Sequence, residues 1–263
     1  MIKAVAVDMD GTFLNSVKNY NRPKFAYLFD KMQQRNIKFI VASGNQYYQL
    51  RSYFPDHWND ITFIAENGAY ILHGQEEIFC GAFKASALDT IFATLADLPE
   101  IKVGICGKKS AYVLATQDKA YIERLGFFCP RLQVIDNISQ INDQLFKFTL
   151  SVPKNQTQKY QDYLNLKLAG NAVATSSGHG EIDLIIPGLN KAWGLNHVLK
   201  GWNLSAKDLA AFGDGGNDLE MLTLANHSYA MANSLPEVFK VAKHVAPSND
   251  EDGVLDTLEI LLH

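Results

Sequence analysis

The sequence has 263 residues, of which 47% are hydrophobic and 20% charged, as in a globular chain with one large or two modest domains. Its 24 basic and 28 acidic residues give a net charge of −4, so we expect neither nucleic acid nor a membrane as a partner. The chain opens without a leader pattern, no apolar run approaches the ~18 residues of a membrane span, and three separated cysteines form no CxxC pair. These features predict a cytoplasmic protein.

The first eighty residues alternate short apolar runs with helical patterns. A buried strand is predicted over 4–7, and a helix follows from about Pro23, with apolar residues at i, i+3, i+4 and i+7. The stretches "IKFIVASGN" and "ITFIAENGAY" predict two further strands, with a helix through "QYYQLRSYF" between them. This β-α-β-α-β order is typical of a doubly wound parallel sheet.

Residues 83–187 show a different pattern. Apolar and polar residues alternate in "IKVGI" and "FKFTL", as in antiparallel strands with one covered and one open face. Helices are predicted over 86–98, 117–125 and 157–168. We interpret 83–187 as a separate α+β unit inserted into a sheet domain that comprises 1–82 and 188–263.

The first pattern resumes after Pro187-Gly188. A helix from Lys191 precedes "DLAAFGDGGND", an apolar run that ends in acids, and two short strands and a terminal helix from Asp252 follow. The predicted fold class is therefore α/β, a doubly wound, Rossmann-like parallel-sheet core with an inserted α+β domain.

Polar residues follow the predicted strands of the core. Ligands of open α/β sheets bind beyond the carboxyl ends of the strands, so we expect these residues to lie together. Asp8, Asp10 and Asp214 would form a small acidic cluster of oxygen ligands, which suits Mg²⁺. Lys191 and the backbone amides near Ser43 would supply further positive potential, and a phosphoryl group would fit between metal and lysine. The segments are Asp8-Met9-Asp10-Gly11-Thr12, Ser43-Gly44-Asn45, Lys191 and Asp214-Gly215-Gly216-Asn217-Asp218.

Each segment alone has a plainer explanation. DxDGT can be a tight turn, GDGGND a helix cap, and Lys191 a solvated helix residue. In the order DxDGT, Ser-Gly, Lys and GDGxND, however, they resemble the four motifs of the haloacid dehalogenase-like hydrolases. The insert resembles the C2B cap of the Cof-type subfamily, and "YNRPKF", "VASGNQYYQL", "AENGA" and "IDLIIPGLNKA" resemble its bacterial sugar phosphatases. The resemblance covers essentially the whole chain.

The resemblance implies hydrolysis of small sugar phosphates through an aspartyl-phosphate. Asp8 would be the nucleophile, and Asp10 would act first as general acid and then as general base. Mg²⁺ would be bound by the Asp8 carboxylate, the Asp10 backbone carbonyl and Asp214, with Thr12 and Asp218 in support. The groups implied to hold the phosphoryl oxygens are Ser43, Lys191, Asn217 and the amides of Met9 and Gly44.

The roles of two residues, Asn45 and His179, stay open. Many relatives carry arginine where this chain has Asn45, which leaves more of the phosphate binding to Lys191. His179, between glycines in "SSGHGEID", is either a surface-loop residue or a substrate contact.

The alternative functions are a phosphotransferase or mutase with the same intermediate, and a non-catalytic sugar-phosphate-binding regulator. The intact acids and lysine of the four motifs argue against the regulator.

Overall fold

The computed structural model describes residues 2–178 and 180–263. The strands are β1 Ala4–Val7, β2 Lys38–Ala42, β3 Thr62–Ala65, β4 Tyr70–His73, β5 Glu76–Cys80, β6 Lys102–Gly107, β7 Ala111–Leu114, β8 Leu132–Ile135, β9 Leu145–Ser151, β10 Val173–Gly178, β11 Glu181–Ile185, β12 Leu209–Gly213, β13 His227–Met231 and β14 His244–Ala246. The helices are α1 Arg22–Gln34, α2 Tyr47–Ser52, α3 Ala85–Ala96, α4 Lys119–Phe128, α5 Thr157–Lys167, α6 Lys191–Gly201, α7 Leu219–Leu224 and α8 Gly253–Leu261. In the part of the chain so described, no helix combines the length and apolarity that crossing a bilayer requires.

The first sheet has eight strands in the order β14-β13-β12-β1-β2-β3-β4-β5. The six strands from β14 to β3 are parallel, which confirms the predicted α/β class with a parallel-sheet core. Strands β4 and β5 run antiparallel, a departure from the expected all-parallel sheet. The chain reverses at Asn67 and Gly68, whose φ angles of 55° and 94° lie in the left-handed region.

Helices cover both faces of this sheet, and alternate residues of β1 pack against helices on opposite faces. Val5 and Val7 belong to the apolar cluster that contains α1 and α8, whereas Ala4 and Ala6 belong to the one that contains α6 and α7. All four β1 side chains are fully buried. The polar residues that follow β1 are therefore fixed by a rigid strand.

The second sheet has six strands in the order β10-β11-β9-β6-β7-β8. Helices α3 and α5 pack on one face, where Ile91 and Leu164 contact the cluster around Phe148. The expectation of an antiparallel sheet is wrong at one edge, where β7 and β8 are parallel. Helix α4 connects these two strands as a crossover, which is the connection that parallel neighbours require.

Helix α4 begins and ends later than predicted, at 119–128 rather than 117–125. The Asp118 side chain accepts a hydrogen bond of 2.8 Å from the Tyr121 amide and so caps the helix N-terminus. The apolar side chains Tyr121 and Leu125 pack against β7, and α4 covers the opposite face of the sheet from α3 and α5.

Replacing Phe25 by alanine should destabilise the first domain strongly. The Phe25 ring is 1% exposed and lies 5.2 Å from Phe39 and 5.3 Å from Phe54, centroid to centroid. We expect Phe25→Ala to lower the free energy of unfolding by about 3–5 kcal/mol, measured by urea denaturation. Tyr27→Ala on the same helix is the control, since Tyr27 is half exposed. Equal losses for the two variants would contradict this packing.

Candidate active site

Three of the predicted segments meet at one edge of the first sheet. Asp8 directly follows β1, Ser43 follows β2 and Asp214 follows β12. Because β1 lies between β2 and β12, the three residues are neighbours at the carboxyl ends of parallel strands. Lys191 is the first residue of α6, whose N-terminus is capped by the Asn190 side chain through the amide of Trp193.

Lys191 is buried between two carboxylates. Its Nζ atom lies 2.6 Å from Oδ1 of Asp8 and 2.6 Å from Oδ1 of Asp218. Burial alone would lower the pKa of a lysine, but the Asp218 and Asp8 carboxylates outweigh that effect and raise the pKa of Lys191 above its ordinary value. The side chain is therefore a permanent cation at the floor of the site.

Three carboxylates surround this cation. Oxygens of Asp8, Asp214 and Asp218 lie within 4.8 Å of one another. Burial, followed by repulsion from Asp218, raises the pKa of Asp214 to about 7, although Thr12 Oγ1 donates a 2.6 Å hydrogen bond to Asp214. Burial is also the largest cause of the raised pKa of Asp8.

This group of side chains fits a hard divalent cation. Metal ligands bind in the deprotonated form, and with all three carboxylates ionised the group and its one ammonium would carry an excess of two negative charges in a buried volume, which a divalent cation would neutralise. All the carboxylate donors are oxygens, as such a cation prefers. Asp218 is held in place because its Oδ2 accepts hydrogen bonds of 3.0 Å from the amides of Asp214 and Gly215.

The Asp10 carboxylate lies apart from this group, although we expected it to join Asp8 and Asp214. Its Oδ1 accepts a 2.6 Å hydrogen bond from Lys18 Nζ, and its Oδ2 accepts a 2.5 Å hydrogen bond from Asn45 Nδ2. Among the residues that the structure describes, Asp218 takes the third place in the cluster instead. The ammonium of Lys18 attracts the carboxylate that the other acids repel.

The remaining predicted residues lie on the loops that follow β1, β2 and β12. Met9 and Thr12 are buried residues of the loop that follows β1, and Ser43 is buried directly after β2. Asn217 donates a 3.1 Å hydrogen bond from Nδ2 to Oδ1 of Asn67. His179 lies outside the described residues.

A cavity of about 540 Å³ lies above these residues, between the two sheets. The first sheet contributes the acids Asp8, Asp10 and Asp214 together with Ser43 and Gly44. The second sheet contributes an apolar wall from α4 and a polar wall from β9 and β11. The cavity-lining residues from the second sheet and its flanking segments are Tyr121, Arg124, Leu125, Phe128, Cys129, Lys147, Thr149, Glu181 and Asp183.

Sequence reasoning missed the polar wall of the second sheet. Lys147 and Thr149 alternate with Phe148, and Glu181 and Asp183 alternate with Ile182, so the period-2 pattern does mark one polar face on each strand. The pairing of Thr149 with Asp183 brings the two polar faces together. The sequence alone does not say that this face is turned towards the first sheet.

Fold and site together define an α/β protein with a cluster of buried acids and a lysine at the carboxyl ends of parallel strands. The chain belongs to the haloacid dehalogenase-like hydrolases, because the model of that family matches residues 5–258. The protein is an enzyme, a phosphoric monoester hydrolase, and its relatives are named phosphatases.

Two relatives have a similar length. The chain is 41% identical over 261 residues to a 5-amino-6-(5-phospho-D-ribitylamino)uracil phosphatase of Escherichia coli, covering 99% of this chain and 96% of the relative. A Bacillus subtilis phosphatase named for the same compound is 22% identical and covers 95% of this chain and 94% of its own.

Solved structures agree with the fold. A Streptococcus mutans protein superposes with a TM-score of 0.96 at 38% identity, covering 100% of this chain and 99% of its own. A sugar phosphatase of haloacid dehalogenase subclass IIB superposes with a TM-score of 0.85 at 19% identity, covering 98% of each chain.

Replacing Asp214 by asparagine should remove metal binding without lowering stability. The neutral amide would relieve the repulsion among three buried carboxylates, so we expect the metal-free variant to melt at or above the wild-type Tm. Saturating Mg²⁺ should raise the wild-type Tm by roughly 5 °C or more and leave the variant unchanged. The exposed Asp89→Asn, with the same change of charge, should keep the wild-type response. An equal Mg²⁺ response in wild type and Asp214→Asn would contradict the assignment of this cluster.

Proposed function

We propose that the enzyme is a Mg²⁺-dependent, cytoplasmic phosphatase of small sugar or sugar-alcohol phosphates that acts through an aspartyl-phosphate on Asp8. The observation that carries the proposal is the position of Asp8, held against the buried Lys191 at the floor of a cavity. The three cysteines are free, which is consistent with a reducing compartment.

The walls of the cavity support the substrate class. Its volume is in the range of small-molecule sites. Polar groups on β9 and β11 suit the hydroxyls of a polyol chain, and the apolar side of α4 suits a ring at its far end. The Escherichia coli relative is named for a phosphorylated ribitylaminouracil, which combines a polyol chain with a ring, and a structural neighbour is named a sugar phosphatase.

In this proposal residues 83–187 form a cap that selects the substrate, and 1–82 with 188–263 form the catalytic core. The cap side of the cavity carries an ion pair of 2.5 Å between Arg124 Nη1 and Glu181 Oε1. Both groups line the cavity, where they would contact the leaving group rather than the phosphoryl group.

The first step is attack of an Asp8 carboxylate oxygen on phosphorus, with release of the sugar alkoxide. Lys191 favours the ionised form of Asp8, against the larger effect of burial on its pKa, and offsets the charge of the phosphoryl oxygens. Ser43, Asn217 and the amides of Met9 and Gly44 are the proposed donors to those oxygens. Mg²⁺, held by Asp8, Asp214 and the Asp10 carbonyl, would supply the remaining positive charge at the phosphoryl group.

Asp10 is the proposed acid and base. Its carboxyl group protonates the departing alkoxide, and the resulting carboxylate then takes a proton from the water that hydrolyses the aspartyl-phosphate. Two carboxyl groups two positions apart thus have different tasks: Asp8 accepts a hydrogen bond from Lys191, whereas Asp10 accepts hydrogen bonds from Lys18 and Asn45.

Asp10→Asn should reduce turnover in proportion to the need of the leaving group for a proton. The conjugate acid of a sugar alkoxide has a pKa near that of water, ~15.7, and that of a phenolate is near ~10. We therefore expect a severe loss of kcat/KM with ribose phosphate and a much smaller loss in the first step with phenyl phosphate. Rapid-mix kinetics with phenyl phosphate should show a burst of one phenol per enzyme, because the variant also lacks the base for the second step.

The control for this experiment is Asp8→Asn, which should show neither burst nor turnover. A Mg²⁺ titration of Asp10→Asn should match the wild type, since the backbone carbonyl remains. Equal losses on both substrates without a burst would falsify the acid and base role of Asp10.

Arg124→Met should change substrate preference without affecting the chemistry. The methionine keeps an apolar stem on α4 but removes the cation that faces the cavity beside Glu181. We expect kcat/KM to shift by about tenfold or more between sugar phosphates, and to stay within about twofold for acetyl phosphate, which has no sugar to contact. Lys119→Met is the matched control, because Lys119 is 91% exposed on the same helix. A uniform loss on all esters would show that this wall does not select the substrate.

A further inference from the structure

The loop after β2 is held through three successive carbonyl groups. The Ser43 carbonyl accepts a 3.0 Å hydrogen bond from the amide of Asn67, and the Asn45 carbonyl accepts one of 3.2 Å from the amide of Glu66. Both donors belong to the core. The carbonyl between them, that of Gly44, accepts a short hydrogen bond from Lys147 Nζ on cap strand β9.

Lys147 belongs to cap strand β9, and its buried ammonium group contacts residues of the core. Its side chain is 6% exposed, and Nζ lies 2.7 Å from Oε2 of Glu66, which is 1% exposed, and 3.7 Å from Oδ2 of Asp183. The carboxylates of Asp183 and Glu66 outweigh burial and raise the pKa of Lys147 above its ordinary value. The ammonium therefore stays charged while it holds the Gly44 carbonyl.

The cap also encloses Gly44 sterically. A Cβ atom at Gly44 would lie 3.1 Å from Asn67 Nδ2 and 3.1 Å from Asp183 Oδ2, two atoms that are themselves joined by a 2.6 Å hydrogen bond. Asp183 from the cap and Asn67 from the core thus both lie beside Gly44. Movement of the Gly44–Asn45 peptide requires movement of Lys147 or Asp183.

The peptide that Lys147 holds leads directly to Asp10. The Asn45 amide, which belongs to it, lies 3.2 Å from Ser43 Oγ, and the Asn45 side chain donates the 2.5 Å hydrogen bond to Asp10 Oδ2. The short side chain of Asn45 reaches Asp10 only from a fixed backbone position.

We propose that Lys147 is a positioning residue through which the cap controls the orientation of the Asp10 carboxyl group. Lys147 fixes the Gly44–Asn45 peptide. Asn45 in turn orients the Asp10 carboxyl group towards the leaving oxygen. The proposal rests on the acid role of Asp10 in the proposed function. In this proposal Lys147 acts without a bond to the substrate, through its contact with the Gly44 carbonyl.

The test is a double-mutant cycle of Lys147→Met and Asn45→Ala, with kcat/KM measured for ribose phosphate and phenyl phosphate. We expect Lys147→Met alone to lose about 10- to 100-fold on ribose phosphate, because a misplaced acid loses part of its contribution, and less than about threefold on phenyl phosphate. In the Asn45→Ala background the same substitution should add less than about threefold on ribose phosphate, because the path to Asp10 is already broken.

Two further variants separate positioning from folding. Lys147→Met leaves Glu66 as an uncompensated buried charge, so Lys147→Met/Glu66→Gln is made in parallel and should show the same selective loss with a Tm closer to wild type. Lys108→Met removes an exposed cap-to-core ion pair, 2.8 Å from Lys108 Nζ to Glu77 Oε2, and should leave both substrates unchanged.

Three outcomes would overturn the proposal. An equal Lys147→Met loss in both Asn45 backgrounds would mean that Lys147 acts on the substrate directly. A fall in Tm with unchanged kcat/KM would mean a structural role only. Equal losses on ribose phosphate and phenyl phosphate would mean that Lys147 does not act through an acid. Failure of the acid role itself would appear separately, as an Asp10→Asn variant that does not distinguish the two leaving groups.

Discussion

The contact of Lys191 with Asp8 and Asp218 is the interaction on which the site depends. Three carboxylates converge at the ends of β1 and β12, where their repulsion and desolvation favour protonation and the buried cation opposes it. A lysine at the first turn of α6 can supply that cation only if α6 begins against the sheet edge. The path of the chain between β11 and α6 is therefore fixed by electrostatics as much as by packing.

The two sheets divide the contacts around one cavity. Buried acids, Lys191 and the loop after β2 come from the parallel sheet, which is rigid because helices cover both of its faces. The polar wall of β9 and β11 and the apolar side of α4 come from the other sheet. Reactive groups thus lie on the better-supported framework, and the groups that face the rest of a ligand lie on the inserted one.

Local patterns were sufficient to predict the parallel core and the meeting of its polar segments, because each strand is a short apolar run followed by its polar residues. They were insufficient where a distant residue decides the conformation. The β3–β4 reversal depends on the left-handed backbone conformation of Asn67 and Gly68. The Asp10 carboxylate accepts a hydrogen bond from Asn45, which is 35 positions away. The contact of Lys147 with Gly44 joins residues 103 positions apart, and alternation in β9 marks only the face on which Lys147 lies.

Gly68 brings the turn after β3 into close contact with the residue that precedes α6. A Cβ atom at this position would lie 2.3 Å from the carbonyl oxygen of Asn190, the residue that caps α6 immediately before Lys191. Any side chain at Gly68 would push the start of α6 away from the sheet and carry the buried ammonium of Lys191 with it. A position with no side chain at all thus controls where the cation of the site lies, although Gly68 itself contributes no reacting group.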